Sequence, residues 1–243
     1  MAMTSRAFKE RLRPRRTPAG DAALPVAGAN DAVETQAARA FRLLESMIVD
    51  TRLAPGAVVS EAVLSQRIGL GRMPVREALK RLADYGLITV LPQRGVIVSP
   101  VDAGQYLLML ETRAVLDRLL VGAAARRATE VERAAFAGQA KAVAAAAREG
   151  DFPGFLRLDE EFDRLVETTS RNPYAARAAA PFHAHGRRFW YVHHADRDLS
   201  RSAEAHCGVM EACAAGDEAA ATAASDALID YLRRFAGNVI HRL

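Results

Sequence analysis

Hydrophobic residues recur every three or four positions along most of this chain, a period that is typical of amphipathic helices. The pattern predicts a helix over about residues 35–51, in which Phe41, Leu44 and Ile48 share one face. Two short helices and two β-prone runs follow, and from Asp102 onward every periodic stretch is helical. The chain is therefore expected to be mainly α, with its β structure confined to one short region.

The stretch from Leu53 to Ser99 predicts a helix, a tight turn, a second helix and a two-stranded wing. Ser60 is a suitable N-cap for a helix over about 61–68, because its hydroxyl can accept a hydrogen bond from an unpaired backbone N–H. Two glycines then permit a sharp turn, and a proline suits the first turn of the next helix. The runs 87–91 and 96–99 are joined by Pro-Gln-Arg-Gly, which predicts a hairpin.

The second helix of this unit has two distinct faces. Val75 and Leu79 lie on one of them and are suited to a core, whereas Arg72, Arg76 and Lys80 recur every four residues on another. A basic helix face is suited to duplex DNA, since arginine pairs with phosphates and makes bidentate bonds to guanine in the major groove. The alternative is a solvated charge stripe, which is common on helices.

The segment at about 37–101 closely resembles the winged helix-turn-helix of the GntR family of bacterial transcription regulators. PG-x₃-SE-x₂-L, GLGRMPVREALKRLADYGLI and PQRGVIV occur there in this order. The resemblance implies that Arg72 and Arg76 contact bases and phosphates, and that Arg94 and Gly95 reach the minor groove from the tip of the wing.

Three positions depart from the usual pattern of that family. Ala62 stands where many members have an arginine, Gly71 replaces a serine or threonine, and Met73 replaces a small hydroxyl residue. These departures leave the operator sequence open but do not remove the DNA-binding pattern. The predicted DNA-binding residues are Ser60, Arg72, Met73, Arg76, Lys80, Arg94 and Gly95.

Six or seven helices in an alanine-rich bundle are predicted after residue 101. Alanine has the highest helix propensity and lets helices pack closely. Pro181 is expected to split the region that opens at 172–173 into two pieces, of which the second runs from 182 to 194. The residues expected to cap other helices of the bundle are Asp102, Thr129 with Glu132 in a capping box, Asp151 and Asp217.

This second region resembles the FCD effector domain of the FadR-type subgroup of GntR regulators. ETRAVLDRLLVGAAA at 111–125, LDEEFDRLVETTSRNPY at 158–174 and AEAHCGVMEACAAGD at 203–217 carry the resemblance. It implies an all-helical bundle that binds a small metabolite, often an organic acid. Many members of that group also place one Asp and three His around a divalent metal.

The metal-binding pattern of that group is only partly present here. Its Asp and first His correspond to Asp159 and Asp163, its second His to His206, and its last His to Leu228. Two carboxylates and one imidazole would suit a single Zn, Mn or Fe ion with open positions. The alternative is that the aspartates bind an arginine or lie at a solvated surface, and that no metal enters.

Arg113 and Asp117 lie four residues apart in the first predicted helix of the bundle, among leucines. Arg113 matches an arginine of the family motif, and a guanidinium in an apolar bundle can hold a carboxylate through two parallel bonds. The alternative is an internal ion pair of Arg113 with Asp117 or Asp163. The predicted effector site consists of Arg113, Asp117, Asp159, Asp163 and His206.

HAHGRRFWYVHH at 183–194 concentrates four histidines and two arginines. His183 and His185, and the adjacent pair at the end of the stretch, do not share a face of an ideal helix, so a four-histidine metal site is not expected. One His or Arg of the stretch either lines the pocket or replaces a missing ligand. The apolar residues expected in the core are Phe189, Trp190 and Val192.

The charge distribution agrees with DNA binding by the first part of the chain. Of the 243 residues, which carry a net charge of +4, residues 1–100 hold the excess of Lys and Arg. Residues 1–32 lack an apolar period and predict a disordered basic tail. The chain shows no long apolar span, no signal peptide and only two cysteines, so a cytosolic protein with no membrane contact is expected.

The sequence thus predicts a tail at 1–32, a winged helix-turn-helix at 33–100 and an FCD-like ligand-binding and dimerisation domain at 101–243. The predicted function is that of a homodimeric transcription regulator, expected to act as a repressor, whose affinity for operator DNA depends on a small metabolite such as an organic acid. One alternative is a bundle that binds no ligand and only dimerises. Another is a metal-dependent hydrolase that uses Asp159, Asp163 and His206, although no nucleophile or base motif accompanies them.

Overall fold

The structure is a computed structural model that describes residues 34–92, 94–193 and 199–241. The predicted tail at 1–32 lies outside the described residues, as do Gln93 of the wing turn and His194. In the described ranges the chain is mainly α, as predicted, and no helix there is long and apolar enough to cross a bilayer.

A winged-helix domain comes first and a helical bundle follows. The elements of the winged-helix domain are α1 (Gln36–Val49), β1 (Val58–Val59), α2 (Glu61–Ile68), α3 (Arg72–Asp84), β2 (Ile88–Leu91) and β3 (Gly95–Val98). Those of the bundle are α4 (Ala103–Arg127), α5 (Glu130–Glu149), α6 (Phe152–Thr169), α7 (Pro173–His193), α8 (Leu199–Ala215) and α9 (Glu218–Ile240).

The helix ends of the winged-helix domain follow the local sequence. Ser60 caps α2, because its Oγ accepts a hydrogen bond from the N–H of Val63 at 3.3 Å. Beyond the end of α3, Gly86 takes a left-handed conformation with φ of 73°. The N–H of Leu87 then donates to the carbonyl of Leu82 at 3.0 Å, which completes a Schellman motif and turns the chain into β2.

The sheet has one strand more than the predicted two-stranded wing. β2 and β3 form the predicted hairpin, and β1 pairs with β3 in antiparallel fashion, with Val58 opposite Ile97. The strand order is therefore β1-β3-β2. The strand β1 was not predicted, because two residues are too few to show an alternation of apolar and polar positions.

The apolar faces of α1 and α3 pack together and form the core of the winged-helix domain, with residues of the sheet closing it. The predicted face of α1 is confirmed, since Phe41, Leu44 and Ile48 are all buried. Residues of α3 that share this core are Val75, Ala78, Leu79 and Leu82.

Six helices lie in the described residues of the bundle, at the lower end of the predicted six or seven. The prediction that Pro181 splits a helix is wrong, because α7 runs through it without interruption. A proline within a helix loses one backbone hydrogen bond. Buried residues on both sides, including Ala179 and Ala184, hold the two halves in one helix, so that packing outweighs this cost.

The predicted core residues near the end of α7 are correct in two of three cases. Phe189 and Trp190 are buried, whereas Val192 is 39% exposed. Since successive residues of a helix differ by about 100° in direction, Val192 points away from the face that Trp190 occupies.

Gly95→Ala is expected to destabilise the protein by about 1–3 kcal/mol, because its backbone is strained for an L residue. Gly95 has φ of 101°, and a Cβ atom there would lie 2.3 Å from the carbonyl oxygen of Val59 in β1. Urea denaturation of the full chain measures the loss.

Gly56→Ala is the matched control, since Gly56 also has a positive φ, of 78°, but no atom within 4 Å of the added Cβ. It tests the backbone conformation without the close contact. Equal losses in the two variants would show that the approach of the wing to β1 does not constrain position 95.

Candidate functional site

Helix α3 presents the predicted basic residues to solvent. Arg72, Arg76 and Lys80 are exposed, and the apolar side of the same helix is buried in the domain core. Met73, which is 63% exposed, lies beside them as a large apolar side chain without a packing partner in the core. An exposed basic face on the second helix of this motif has the position of a recognition helix.

Glu61 of α2 orients one of these arginines. Its carboxylate Oε2 lies 3.0 Å from Nη2 of Arg76, and both side chains are partly exposed. The pair links α2 to α3 and holds Arg76 at the surface, where phosphate can compete with the carboxylate. The Ser60 hydroxyl next to Glu61 is used as the helix cap.

Arg94 and Gly95 lie at the tip of the wing, as the sequence predicts. Arg94 is exposed, and Gly95 begins β3 with a backbone that only glycine adopts without strain. The wing thus carries an arginine on a tight turn, an arrangement that can reach a DNA groove.

A second group of functional candidates is buried inside the bundle, and we call it the charge cluster. Its members are ionisable, each at most 9% exposed, and come from four helices. They are Arg113 and Asp117 of α4, Asp159 and Asp163 of α6, His183 and Arg187 of α7, and His206 of α8.

Asp117 binds two cations of the charge cluster. Nε of Arg113 donates to its Oδ2 at 2.7 Å, and Nε2 of His183 lies 2.7 Å from its Oδ1. Burial disfavours the carboxylate, but Arg113 and His183 outweigh it and lower the pKa of Asp117 to about 2. The internal ion pair of Arg113, which the sequence left as an alternative, is therefore present.

Asp163 faces α7. Nη1 of Arg187 donates to its Oδ2 at 2.5 Å, and Nδ1 of His183 lies 3.4 Å from its Oδ1. Burial raises the pKa of Asp163 to about 6, against the attraction of the His183 ring. Burial also disfavours the charged ring of His183, but Asp163 and Asp117 outweigh it and raise the pKa of His183 to about 10.

Asp159 and His206 form the third pair. Nε2 of His206 lies 3.0 Å from Oδ1 of Asp159, and Nδ1 lies 2.7 Å from the carbonyl oxygen of Ser202. Burial disfavours the charged imidazole, but the carboxylate outweighs it and raises the pKa of His206. With both ring nitrogens facing acceptors, the charged form with two donors fits this position.

Two small cavities, each of about 20 Å³, border the charge cluster. This volume suits about one water molecule. The first cavity is bordered by Arg113, Asp159, Tyr106, Ser202 and His206, and Oγ of Ser202 is buried without a hydrogen-bond partner among the described residues. The second lies on the side of Asp117 and Asp163, where Leu228 is part of its wall.

The donor set around these cavities does not fit a divalent metal. In the described part of the chain, no three His, Cys, Asp or Glu side chains are placed to share one ion. Asp163 and Asp159 are engaged by Arg187 and His206, and Leu228 offers no donor atom. The structure therefore favours the arginine-bound alternative for Asp163.

Helix α7 connects the charge cluster with the winged-helix domain. His183 and Arg187 point into the charge cluster, whereas Ala184 is fully buried in the core of the winged-helix domain. Nε2 of His185 lies 2.8 Å from the carbonyl oxygen of Tyr85, directly after α3, and Nη2 of Arg188 donates to the carbonyl of Ser99 at 2.6 Å. Fewer than two turns of helix, from His183 to Arg188, thus touch both domains.

Arg187 itself spans the two domains. Besides its bond to Asp163, its Nη2 lies 3.7 Å from Oε1 of Glu45 in α1. Burial raises the pKa of the Glu45 carboxyl, against the attraction of Arg187.

The sequence analysis selected five members of the charge cluster, and the structure brings all five together. It did not select His183 and Arg187 individually, although it expected one His or Arg of that stretch to line the pocket. Their spacing of four residues on one helix face was the available signal. The roles of the five residues in effector binding stay predictions.

The fold and the exposed recognition helix define a class, the winged-helix DNA-binding regulators with a second, all-helical domain. Comparison with known proteins specifies it further. The model of the FCD domain family matches residues 108–231, and that of the bacterial regulatory proteins of the gntR family matches residues 36–98. The chain belongs to the GntR family and carries an FCD domain.

Curated relatives agree with this assignment. The chain is 31% identical to the HTH-type transcriptional repressor RspR of Escherichia coli K12 over 126 residues, which cover 52% of this chain and 55% of RspR. It is 28% identical to the Nta operon transcriptional regulator of Aminobacter aminovorans over 179 residues, 72% of this chain and 83% of that protein. These relatives are transcriptional regulators and not enzymes.

Solved structures show the same fold. Escherichia coli McbR/YncC has a TM-score of 0.72 at 19% identity, covering 86% of this chain and 98% of its own. A GntR regulator from Rhodococcus sp. RHA1 has a TM-score of 0.61 at 20% identity, over 86% and 99% of the two chains.

Asp117→Asn is expected to lower the free energy of unfolding by about 3–5 kcal/mol, because it removes the carboxylate that pairs with the buried Arg113 and one of those that face the buried His183. Asp226→Asn is the matched control. Asp226 pairs with Arg118 at the surface, where both side chains are about half exposed, so about 1 kcal/mol or less is expected. Urea denaturation at neutral pH measures both, and similar losses would contradict the pairing described for Asp117.

Proposed function

We propose that this GntR-family regulator binds a two-fold operator as a homodimer and represses transcription, and that a small organic acid bound in the FCD domain alters its operator affinity. The exposed basic face of α3, on a helix whose other side is buried, is the observation that carries the DNA-binding part. The charge cluster inside the bundle and the helix that links it to the winged-helix domain support the effector part.

The DNA contacts follow from the exposed residues. Arg72 and Arg76 extend from the first turns of α3, where side chains of a recognition helix meet base edges. Lys80, one turn further, is suited to phosphate. Arg94 on the wing supplies a second contact, displaced from the helix.

An apolar stripe on α4 is the surface we assign to the homodimer. Leu108, Val115 and Leu119 are between 50% and 69% exposed, and they recur at helical spacing on one side of α4. Exposed apolar side chains that recur along one side of a helix are typical of an interface. A symmetric contact through it places two recognition helices for two operator half-sites.

Arg72→Ala and Arg76→Ala are each expected to weaken specific operator binding by about 1–3 kcal/mol, since each loses a base or phosphate contact. The operator is first selected from random duplexes with the full chain, and affinity is then measured by fluorescence anisotropy at fixed salt. Two chains bound per selected duplex are expected from a dimer.

Arg118→Ala is the matched control for the DNA experiment. It removes the same charge from the bundle surface, where Arg118 pairs with Asp226, and it should leave specific affinity unchanged. Unchanged affinity in both α3 variants would refute the assignment of the recognition helix, and one chain per duplex would refute the dimer.

The effector part rests on donors that converge on the first cavity. The guanidinium of Arg113 and the hydroxyl of Ser202 border it, and both can donate to a carboxylate. The ring of His206 also borders it, with its two nitrogens already facing Asp159 and the carbonyl of Ser202. A cavity of about 20 Å³ is too small for an organic acid, so binding requires the surrounding helices to separate. The ligand must therefore change the bundle in order to enter.

Helix α7 is the route by which we expect this change to reach the DNA-binding surface. It borders the first cavity at Gly186 and Arg187, and the same turn contacts Tyr85 directly after α3. A ligand that shifts α7 thereby alters the support of the recognition helix. Effector and operator binding are then coupled in both directions.

Arg113→Lys is expected to abolish the rise in melting temperature that a matching acid causes, because a lysine cannot hold both Asp117 and a ligand carboxylate in a planar fork. Thermal melts with a panel of small mono- and dicarboxylic acids find the acid, and its effect on operator affinity is then measured.

Arg118→Lys, on the outer side of the same helix, is the control and should respond as the wild type does. If Arg113→Lys does not fold, Ser202→Ala serves as the second variant. It keeps the charge cluster intact and is expected to weaken the response to the acid. A full response in Arg113→Lys and Ser202→Ala would refute this site, and no response of the wild type to any acid would favour the bundle that only dimerises.

A further inference from the structure

We propose that cationic side chains, above all Arg187, take the place of the divalent metal in the FCD bundle of this chain, so that the bundle keeps its structure without a metal ion. This inference concerns the construction of the bundle and does not depend on the identity of the effector. It rests on which groups surround the aspartates of α6 and on what replaces the two histidines that the family resemblance implies.

The positions that would hold a metal still lie together. Asp159, Asp163, His206 and Leu228 all border the second cavity. By the family resemblance, Asp159 occupies the aspartate position of the metal site. Asp163, His206 and Leu228 occupy its three histidine positions. The structure thus confirms that these four positions converge, while only two of them carry the expected side chain.

Each carboxylate in this space already has a cation of the chain. Arg187 is 2.5 Å from Asp163, and His206 is 3.0 Å from Asp159. Asp117, at the edge of the same cavity, is held by Arg113 and His183. A metal ion would need these oxygens and would meet two guanidinium groups inside the bundle, so its entry is opposed by both charge and occupancy.

Asp163 and Arg187 form an ion pair in which each residue requires the other. A neutral histidine at 163 would leave the buried guanidinium without a counter-ion, whereas a buried aspartate requires a cation beside it. Arg187 meets this need from α7, and its second amino group approaches Glu45 of α1. The cation that joins α6 to α7 is thus the side chain of Arg187 and not a metal ion. The same side chain also faces the winged-helix domain.

The first test is made on the tag-free full chain. Metal content after purification is measured by mass spectrometry, and melting temperature is measured with EDTA, Zn²⁺ or Mn²⁺. We expect less than stoichiometric metal and a change in melting temperature within about 1 °C, since a ligand that does not bind the native state does not stabilise it. A stoichiometric ion that Asp159→Asn removes, or a clear loss of stability in EDTA, would overturn the proposal.

The second test restores the histidines. Asp163→His with Leu228→His provides an Asp159, His, His206 and His set at positions that already converge. Arg187→Gln in the same variant removes the guanidinium that pairs with Asp163 and would oppose the ion. Zn²⁺ at about 100 times its Kd is expected to raise the melting temperature of this triple variant by about 5–10 °C. Binding is measured directly by titration calorimetry.

Asp163→His with Arg187→Gln is the smaller change and offers three donors if the triple variant does not fold. Asp226→His, which adds a histidine on the exposed side of α9, is the matched control and should gain no response to Zn²⁺. Should neither restored variant bind Zn²⁺ more tightly than wild type does, the identity of residues 163, 187 and 228 does not decide metal binding, and the proposal fails.

Discussion

The buried aspartates of the bundle constrain everything around them. A carboxylate in an apolar interior is costly unless a cation or several donors face it. Asp117, Asp159 and Asp163 therefore fix the places of His183, His206 and Arg187 on neighbouring helices of the bundle. The helices that carry these cations can pack in few other ways, so the charge cluster specifies the arrangement as much as it stabilises it.

Helix α7 is the element on which this constraint acts most widely. It supplies two cations to the charge cluster from one face and two contacts to the winged-helix domain from another. These contacts explain why it stays continuous through Pro181. Through these contacts, α7 supports the domain that carries the DNA-binding surface. The position of α7 in turn depends on the charge cluster, which is buried in the bundle.

Much of the fold follows from local sequence, and much of the site does not. Caps at Ser60, Asp102 and Thr129 are set by hydrogen bonds within four residues, so the sequence predicts them well. The pairing of Asp163 with Arg187 joins two different helices across 24 positions of the chain, and nothing local distinguishes it from pairing with Arg113. The two-residue strand β1 likewise exists only through its partner β3.

Gly186 gives the bundle a point of unusual sensitivity. It lies within α7, where glycine costs about 0.5–1 kcal/mol relative to alanine, yet a Cβ atom there would lie 2.7 Å from Nη1 of Arg113. To admit it, the guanidinium would have to move away from α7, although its Nε is bonded to Asp117 at 2.7 Å. A single methyl group at 186 would thus press on Arg113 from the side of α7, so that one contact links the packing of this helix to the geometry of the charge cluster.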